Sequence, residues 1–218
     1  MKNKLTKLFA ASCLLATGAA NADVIVLDFE GVGDQVAILD FYNGGTDGAG
    51  NSGVDYDISF GANTLGIIDQ DAGGTGNFAN EPTADTVMFF LTGTAVLNYN
   101  LGFETGFSFF YSSATAADVV VYDDVDATGN VLATISLSAQ HTDSCVGDPT
   151  GTFCNWSAVG ASFDGIAKSI DFGGTVNQVG YDNITFGAAD PVIETPTPAA
   201  LGLVLLGLGF MARKSIKR

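Results

Sequence analysis

Asp118-Val-Val-Val-Tyr-Asp123 and Asn130-Val-Leu-Ala-Thr-Ile-Ser-Leu-Ser138 are the two stretches that decide the fold class. β-branched residues are frequent in both, and in the second, apolar side chains alternate with mostly more polar ones from Val131 to Leu137. The residues between them, Asp124 to Gly129, are rich in Asp and Gly, which favour turns. We therefore predict an antiparallel hairpin whose second strand buries one face.

Short apolar runs separated by Gly, Asn and Asp continue through the region from residue 23 to residue 189. The chain has 28 Gly and 16 Phe, and most of its acids are Asp, a composition that disfavours long helices. The region is predicted to be one all-β domain, a β-sandwich with a jelly-roll-like arrangement. We predict its other strands at Val24–Phe29, Val36–Tyr42, Tyr56–Phe60, Leu65–Ile68, Thr86–Leu91, Ala95–Leu101, Gly106–Tyr111, Ser157–Phe163, Ala167–Phe172 and Val176–Phe186.

The N-terminus has the three parts of a secretory signal peptide. Its first residues carry three lysines, and an apolar run follows from Leu8 to Ala16. Ala20 and Ala22 form an A-x-A cleavage site, which predicts a mature chain that begins at Asp23. The segment before that site is therefore expected to be a helical export signal, residues 1–22.

The C-terminus also has three parts: Pro196-Thr-Pro198, an apolar run, and a basic end that starts with Arg213 and Lys214. A membrane-spanning helix needs about 20 apolar residues, and this run is shorter than that. Residues 190–198 contain three prolines and are predicted to link the folded domain to the tail. Residues 199–218 are predicted to form a short hydrophobic helix with a basic end.

This C-terminal arrangement resembles the PEP-CTERM sorting signal of exported bacterial proteins, in which Pro-Glu-Pro precedes a short hydrophobic helix and a basic cluster. Pro196 and Pro198 match the two prolines, Thr197 stands at the position of the glutamate, and Arg213 and Lys214 begin the cluster. The resemblance implies cleavage by an exosortase-type membrane protease after transient membrane anchoring. It also implies a cell-envelope or extracellular-matrix location in a Gram-negative bacterium. A plain tail anchor is the alternative.

The region from Phe41 to Ser113 resembles an ectodomain that recurs in these exported proteins and that has no assigned activity. The resemblance implies a structural or adhesive role in association with exopolysaccharide, and this is our main interpretation. The alternative is a glycan-binding or calcium-binding β-sandwich module. A polysaccharide hydrolase is the third hypothesis.

Removal of both ends would leave a strongly acidic domain. Between Asp23 and Glu194 there are 24 acids against one lysine, Lys168, which gives a formal charge of −23. A nucleic-acid partner is not expected, because the domain has no cationic surface to contact phosphates. The many carboxylates are suited instead to Ca²⁺, a hard cation that takes oxygen ligands.

Three acids are the candidate calcium ligands. Asp28 and Glu30 end the first predicted strand, and Asp182 lies in the last. First and last strands are often neighbours in jelly rolls, so the three carboxylates are expected at one edge of the sandwich. This arrangement resembles the structural Ca²⁺ position of carbohydrate-binding jelly rolls. The alternative is that the side chains simply point outward from half-buried strands.

Cys145 and Cys154 are the cysteines that remain after leader removal, and they flank a turn-rich octapeptide. An oxidising compartment outside the cytoplasm favours a disulfide between them. Zinc binding together with His141 is the alternative.

Aromatic residues beside polar loops are candidates for glycan binding. Trp156 is the only Trp of the chain, and Tyr42 and Tyr56 lie at predicted strand ends. An exposed aromatic face can stack on a sugar ring while neighbouring polar side chains bind its hydroxyl groups. The alternative for Trp156 is a core position beside the disulfide.

The mature region contains few of the side chains and motifs that usually carry out catalysis. It has one His, one Lys and no Arg, and it contains no Gly-x-Ser-x-Gly or phosphate-binding motif. We therefore do not predict an enzyme. A pair of carboxylates for glycoside cleavage stays open as the third hypothesis, because such pairing is spatial and leaves no sequence signature.

Overall fold

The computed structural model describes residues 24–142 and 151–192, and this part of the chain is all-β, with no helix. Its strands are β1 Ile25–Leu27, β2 Val36–Ala37, β3 Ile58–Phe60, β4 Thr64–Ile68, β5 Thr86–Phe90, β6 Ala95–Ser113, β7 Ala117–Tyr122, β8 Val131–Leu137, β9 Ser157–Phe172 and β10 Val179–Phe186. The predicted signal peptide and the sorting segment of residues 196–218 lie outside the described residues. Within the described ranges, no helix has the length and apolar character that a membrane crossing needs.

The predicted hairpin is present as β7 and β8, paired from Ala117↔Leu137 to Tyr122↔Val131. Ile135 and Leu137 are buried, which confirms the buried face of the second strand, whereas Val131 at its start is exposed. The turn is fixed by its own polar groups: the Asp123 carboxylate accepts hydrogen bonds from the Asn130 N–H and Nδ2, at 2.6 and 2.8 Å. These bonds stabilise the ionised form and lower the pKa of Asp123.

All ten strands of the described residues belong to one sheet, ordered β2-β4-β5-β10-β6-β9-β7-β8, with β1 on β10 and β3 on β6. Every strand pair is antiparallel. β6 and β9, which are 19 and 16 residues long, pair along most of their length. The sequence predicted each of them as two strands. Gly102 and Gly165 have φ angles of 76° and 102°, so the predicted breaks are bends within continuous strands.

The bent sheet encloses one aromatic core. Phe172 of β9 pairs through its backbone with Ala95, yet its ring lies against other parts of the sheet. The ring centroid is 4.9 Å from that of Tyr181 and 5.9 Å from that of Phe109, and all three rings are buried. Two layers of the sheet thus face each other across shared side chains, which confirms the predicted β-sandwich.

One strand prediction was wrong in extent. β2 ends at Ala37, and residues 39–42 form turns, with Leu39 at a φ of 50°. The Asp40 carbonyl oxygen accepts hydrogen bonds from the N–H groups of Asn43 and Gly45, which replaces sheet pairing with a local turn. Ile38, Phe41 and Tyr42 are nevertheless buried. The apolar pattern therefore marked core residues that lie on a loop.

The two ends of the described domain meet, as the sequence predicted. β1 pairs with β10 from Ile25↔Phe186 to Leu27↔Ile184. On its other side, β10 pairs with β6, and the register of this pairing shifts between Asp182 and Thr185. Asn183 lies within this shift and has a φ of 49°. This bulge lies beside the end of β1 and shapes the site described next.

Candidate functional site

A cavity of about 320 Å³ opens where β1 ends beside the bulge of β10. Its lining includes Asp28, Glu30, Tyr42, Tyr56, Thr83 and Asn183, and we call it the tyrosine–carboxylate cavity. Two independent sequence predictions meet here. Asp28 and Glu30 came from the calcium set, and Tyr42 and Tyr56 came from the glycan-binding set.

The two tyrosines form a stacked pair at one wall of the cavity. Their ring centroids are 6.2 Å apart and their planes differ by 22°. The Tyr42 hydroxyl accepts a hydrogen bond from the Phe29 N–H at 2.8 Å and donates one to Asp28 Oδ1 at 3.4 Å. Burial, and then the nearby Asp28 carboxylate, raise the pKa of Tyr42 well above its usual value. The phenol therefore stays protonated and acts as a donor.

The two carboxylates of the cavity are held by backbone donors. Asp28 Oδ1 also accepts the Glu30 N–H at 3.1 Å. Glu30 Oε1 accepts the N–H groups of Asp85 and Thr86, both at 2.9 Å. Asp28 Oδ2 remains for another donor, whereas Glu30 Oε2 already accepts a long hydrogen bond, 3.5 Å, from the Thr86 hydroxyl.

Asp182, the third predicted calcium ligand, lies behind the cavity wall. It is fully buried, and both of its oxygens contact the Thr83 hydroxyl, at 2.9 and 2.8 Å. Its Oδ2 and Oδ1 also accept the N–H groups of Thr83 and Asn183. Burial raises the pKa of Asp182 to about 8. Asp182 thus ties the loop before β5 to β10.

The three predicted ligands meet at one edge but not around one point. Among the residues that the structure describes, no group of three or more His, Cys, Asp or Glu side chains has an arrangement that could hold a metal ion. Calcium binding by Asp28, Glu30 and Asp182 stays a prediction. A titration with Ca²⁺ followed by the melting temperature would measure it.

Sequence reasoning missed Asn183 and Thr83, which complete the cavity wall. Asn183 is fully buried, and neither its Oδ1 nor its Nδ2 has a hydrogen-bond partner within the described residues. Asn tolerates the left-handed conformation found here better than most residues, which is the one local signal in the sequence. The bulge that places it is a tertiary feature.

Trp156 lies in a different place. Its half-buried indole lines a slot of about 40 Å³ with Phe78, Val87 and other residues, none of which lines the tyrosine–carboxylate cavity. The indole Nε1–H donates to the Ala79 carbonyl oxygen at 3.0 Å. A Cβ on Gly180 would come within 3.1 Å of the ring, so this glycine lets the indole lie close to β10. The three predicted glycan-binding residues therefore divide into two regions.

The structure describes one of the two cysteines of the predicted disulfide. Cys154 is buried, and its N–H donates to the His141 carbonyl oxygen at 2.8 Å. Cys145 lies outside the described residues. The pairing of the two cysteines stays a prediction.

The sequence matches no protein-family model and no curated protein. Among solved structures it is similar to CsCBM6-3 from Clostridium stercorarium, solved in complex with cellobiose, with 18% identity and a TM-score of 0.38 over 60% of this chain and 87% of that one. It is also similar to the K2 cleaved adhesin domain of Lys-gingipain, with 10% identity and a TM-score of 0.47 over 77% and 99% of the two chains. A third similarity is to a glycoside hydrolase family 43 arabinoxylan arabinofuranohydrolase from Bacillus subtilis, with 16% identity and a TM-score of 0.38, covering 57% of this chain and 24% of the enzyme. These values are too low to assign a ligand or an activity to this chain.

Proposed function

We propose that this protein is an exported module of the bacterial cell envelope that binds exopolysaccharide through the tyrosine–carboxylate cavity. The observation that carries the proposal is the stacked Tyr42–Tyr56 pair beside two carboxylates in a cavity of about 320 Å³. Ligand pockets usually measure roughly 300–1,000 Å³ and combine apolar surface with a few fixed polar groups.

The chemistry of the lining suits a sugar ring. The half-buried Tyr56 ring, supported by the buried Tyr42 ring, can stack on the apolar C–H face of a pyranose, while the Asp28 and Glu30 carboxylates bind its hydroxyl groups. Backbone donors fix the orientation of both Asp28 and Glu30 before any ligand arrives. Such preorganisation reduces the entropy that binding would otherwise lose.

Export and sorting belong to the same proposal and rest on the sequence. The signal peptide ends at Ala22, and the segment from Pro196 to Arg218 resembles a sorting signal that an exosortase-type protease cleaves. Mapping the mature C-terminus of the wild-type protein and of a variant without residues 196–218 tests this part. An uncleaved wild-type C-terminus would reduce the segment to a plain anchor.

Binding is tested with a panel of soluble oligosaccharides and isothermal titration calorimetry. Tyr56→Ala removes one aromatic wall and is expected to weaken binding about tenfold or more, because aromatic anchors dominate the energy of such contacts. Tyr122→Ala, on the β7–β8 hairpin, is the matched control and should bind as the wild type does. Equal losses for both variants, or no binding to any oligosaccharide, would refute the proposal.

A further inference from the structure

We infer that the tyrosine–carboxylate cavity recognises a protonated amine, so that the polysaccharide it binds carries amino sugars with unacetylated amino groups. This inference rests on the proposed glycan-binding function and names the chemical class of the ligand. It follows from the acceptors, the aromatic rings and the charge around the cavity.

The lining supplies charged hydrogen-bond acceptors for an ammonium group. An alkylammonium group has three donors and no acceptor. Backbone N–H groups already engage one oxygen of each carboxylate, Asp28 and Glu30, and the second oxygen of Glu30 accepts only a long hydrogen bond, 3.5 Å, from the Thr86 hydroxyl. Two charged acceptors thus line one cavity, and the buried Asn183 amide lies in its wall beside them.

Asn183 is the independent sign that this wall serves a ligand. Its amide is fully buried, and within the described part of the chain it has no hydrogen-bond partner. A buried polar group without a partner destabilises the fold. Ser112 and Asp171 also have a buried side-chain oxygen without a partner, but Asn183 is the one of these three residues that lines the cavity. Asn183 also occupies a left-handed backbone conformation, with a φ of 49°, inside the bulge.

Aromatic rings complete the surroundings that a cation favours. Tyr56 is the half-buried ring of the cavity, and it stacks on the buried Tyr42 ring, on which the buried Phe41 ring packs edge-to-face with centroids 4.8 Å apart. The negative faces of aromatic rings attract ammonium groups, and more strongly where water is excluded. The carboxylates and the aromatic rings therefore both favour a positively charged ligand.

Within the part of the chain that the structure describes, no Lys or Arg lines the cavity to offset the carboxylates. Lys168 is the only Lys or Arg between Asp23 and Glu194, and it does not line the cavity. A uronic acid would be repelled by Asp28 and Glu30 at close range. A neutral sugar would leave both carboxylates without a counter-charge. An amino sugar residue supplies one positive charge, which neutralises one of the two carboxylates.

The test compares four tetrasaccharides on the full chain: glucosamine, N-acetylglucosamine, glucose and galacturonic acid. Calorimetry at a mildly acidic pH keeps the amine protonated. At about 0.15 M salt, long-range attraction is screened. We expect the glucosamine tetramer to bind at least about tenfold more tightly than its acetylated counterpart, and the galacturonic acid tetramer to bind most weakly.

A pair of variants separates the cavity from the general acidity of the domain. Glu30→Gln removes one charge inside the cavity and is expected to weaken glucosamine binding about tenfold more than it weakens N-acetylglucosamine binding. Glu104→Gln removes one charge from an exposed site on β6 that does not line the cavity, and should have no effect. Asp28→Asn is the second cavity variant should Glu30→Gln unfold.

The possible results are distinguishable. If the neutral tetramers bind as tightly as glucosamine and lose binding in Tyr56→Ala, the inference is overturned and the proposed function stands. If Glu104→Gln and Glu30→Gln weaken glucosamine binding equally, the attraction is general and the inference is again overturned. If no tetramer binds, both the inference and the proposed function fail.

Discussion

The tyrosine–carboxylate cavity and the Trp156 slot are both aromatic regions of one sandwich, but they differ in whether their polar groups have hydrogen-bond partners. In the slot the indole N–H donates to the Ala79 carbonyl oxygen, and the ring packs edge-to-face on Phe78 at 6.2 Å. In the cavity the buried Asn183 amide has no partner among the described residues. The volumes differ as well, about 40 against about 320 Å³. An aromatic residue at the surface therefore indicates a site only where polar groups beside it remain available.

The largest expected effect is a loss of stability when Trp156, which lines the slot, is replaced. Trp156→Ala should lower the free energy of unfolding by about 3 kcal/mol, because it removes a large half-buried ring that joins two loops to β10. Chemical denaturation measures this change. Glycan affinity, measured where the variant is still folded, should stay at the wild-type value.

Trp156→Phe is the milder control for the same residue. It keeps an aromatic ring and removes the hydrogen bond to Ala79, so the expected loss of stability is about 1 kcal/mol. A strong fall in glycan affinity for this variant, without unfolding, would show that glycans bind at the slot and not at the tyrosine–carboxylate cavity.

The next effect is on binding, at the cavity. Asn183→Gly removes the buried amide and is compatible with the φ of 49°, so the free energy of unfolding should change by less than about 1 kcal/mol. Affinity for the glucosamine tetramer should fall about tenfold. Calorimetry and denaturation of the same sample measure both quantities. A variant that loses stability but keeps affinity would assign Asn183 a purely structural role.

The smallest effect concerns Glu81, on the segment that runs from Ala79 at the slot to Thr83 at the cavity. Burial, with further contributions from the nearby carboxylates of Asp69, Asp85 and Glu30, raises the pKa of Glu81 from 4.5 to about 7. The folded state therefore holds this proton more tightly than the unfolded state does. Its stabilising contribution is complete below pH 4.5 and is lost as the pH rises through about 7.

Glu81→Gln removes that contribution. Because the side chain is only partly buried, solvent screening limits the effect, and we expect the loss of stability between these pH values to shrink by about 1 kcal/mol. Denaturation of wild type and variant at matched pH values measures the difference. An unchanged pH profile would show that Glu81 ionises normally in the folded protein.

Local patterns in the sequence predicted much of the fold and only the ingredients of the site. Alternation in β8 and the turn before it were sufficient for the hairpin, because both are local. Gly102 and Gly165 suggested strand ends, since a glycine bend inside a long strand has the same local signature as a turn. The meeting of Asp28 with Tyr42 and Asn183 depends on β1–β10 pairing, a loop and a bulge. A linear pattern does not specify that combination.

The central claim is that ligands bind at the tyrosine–carboxylate cavity and not at the Trp156 slot. Nuclear magnetic resonance tests it directly, because each region has one diagnostic signal: the side-chain amide of Asn183 and the indole N–H of Trp156, the only Trp of the chain. During titration with the tightest-binding tetrasaccharide, we predict that the Asn183 amide signal shifts while the indole signal stays in place. A shifted indole signal with an unmoved Asn183 amide would contradict the account.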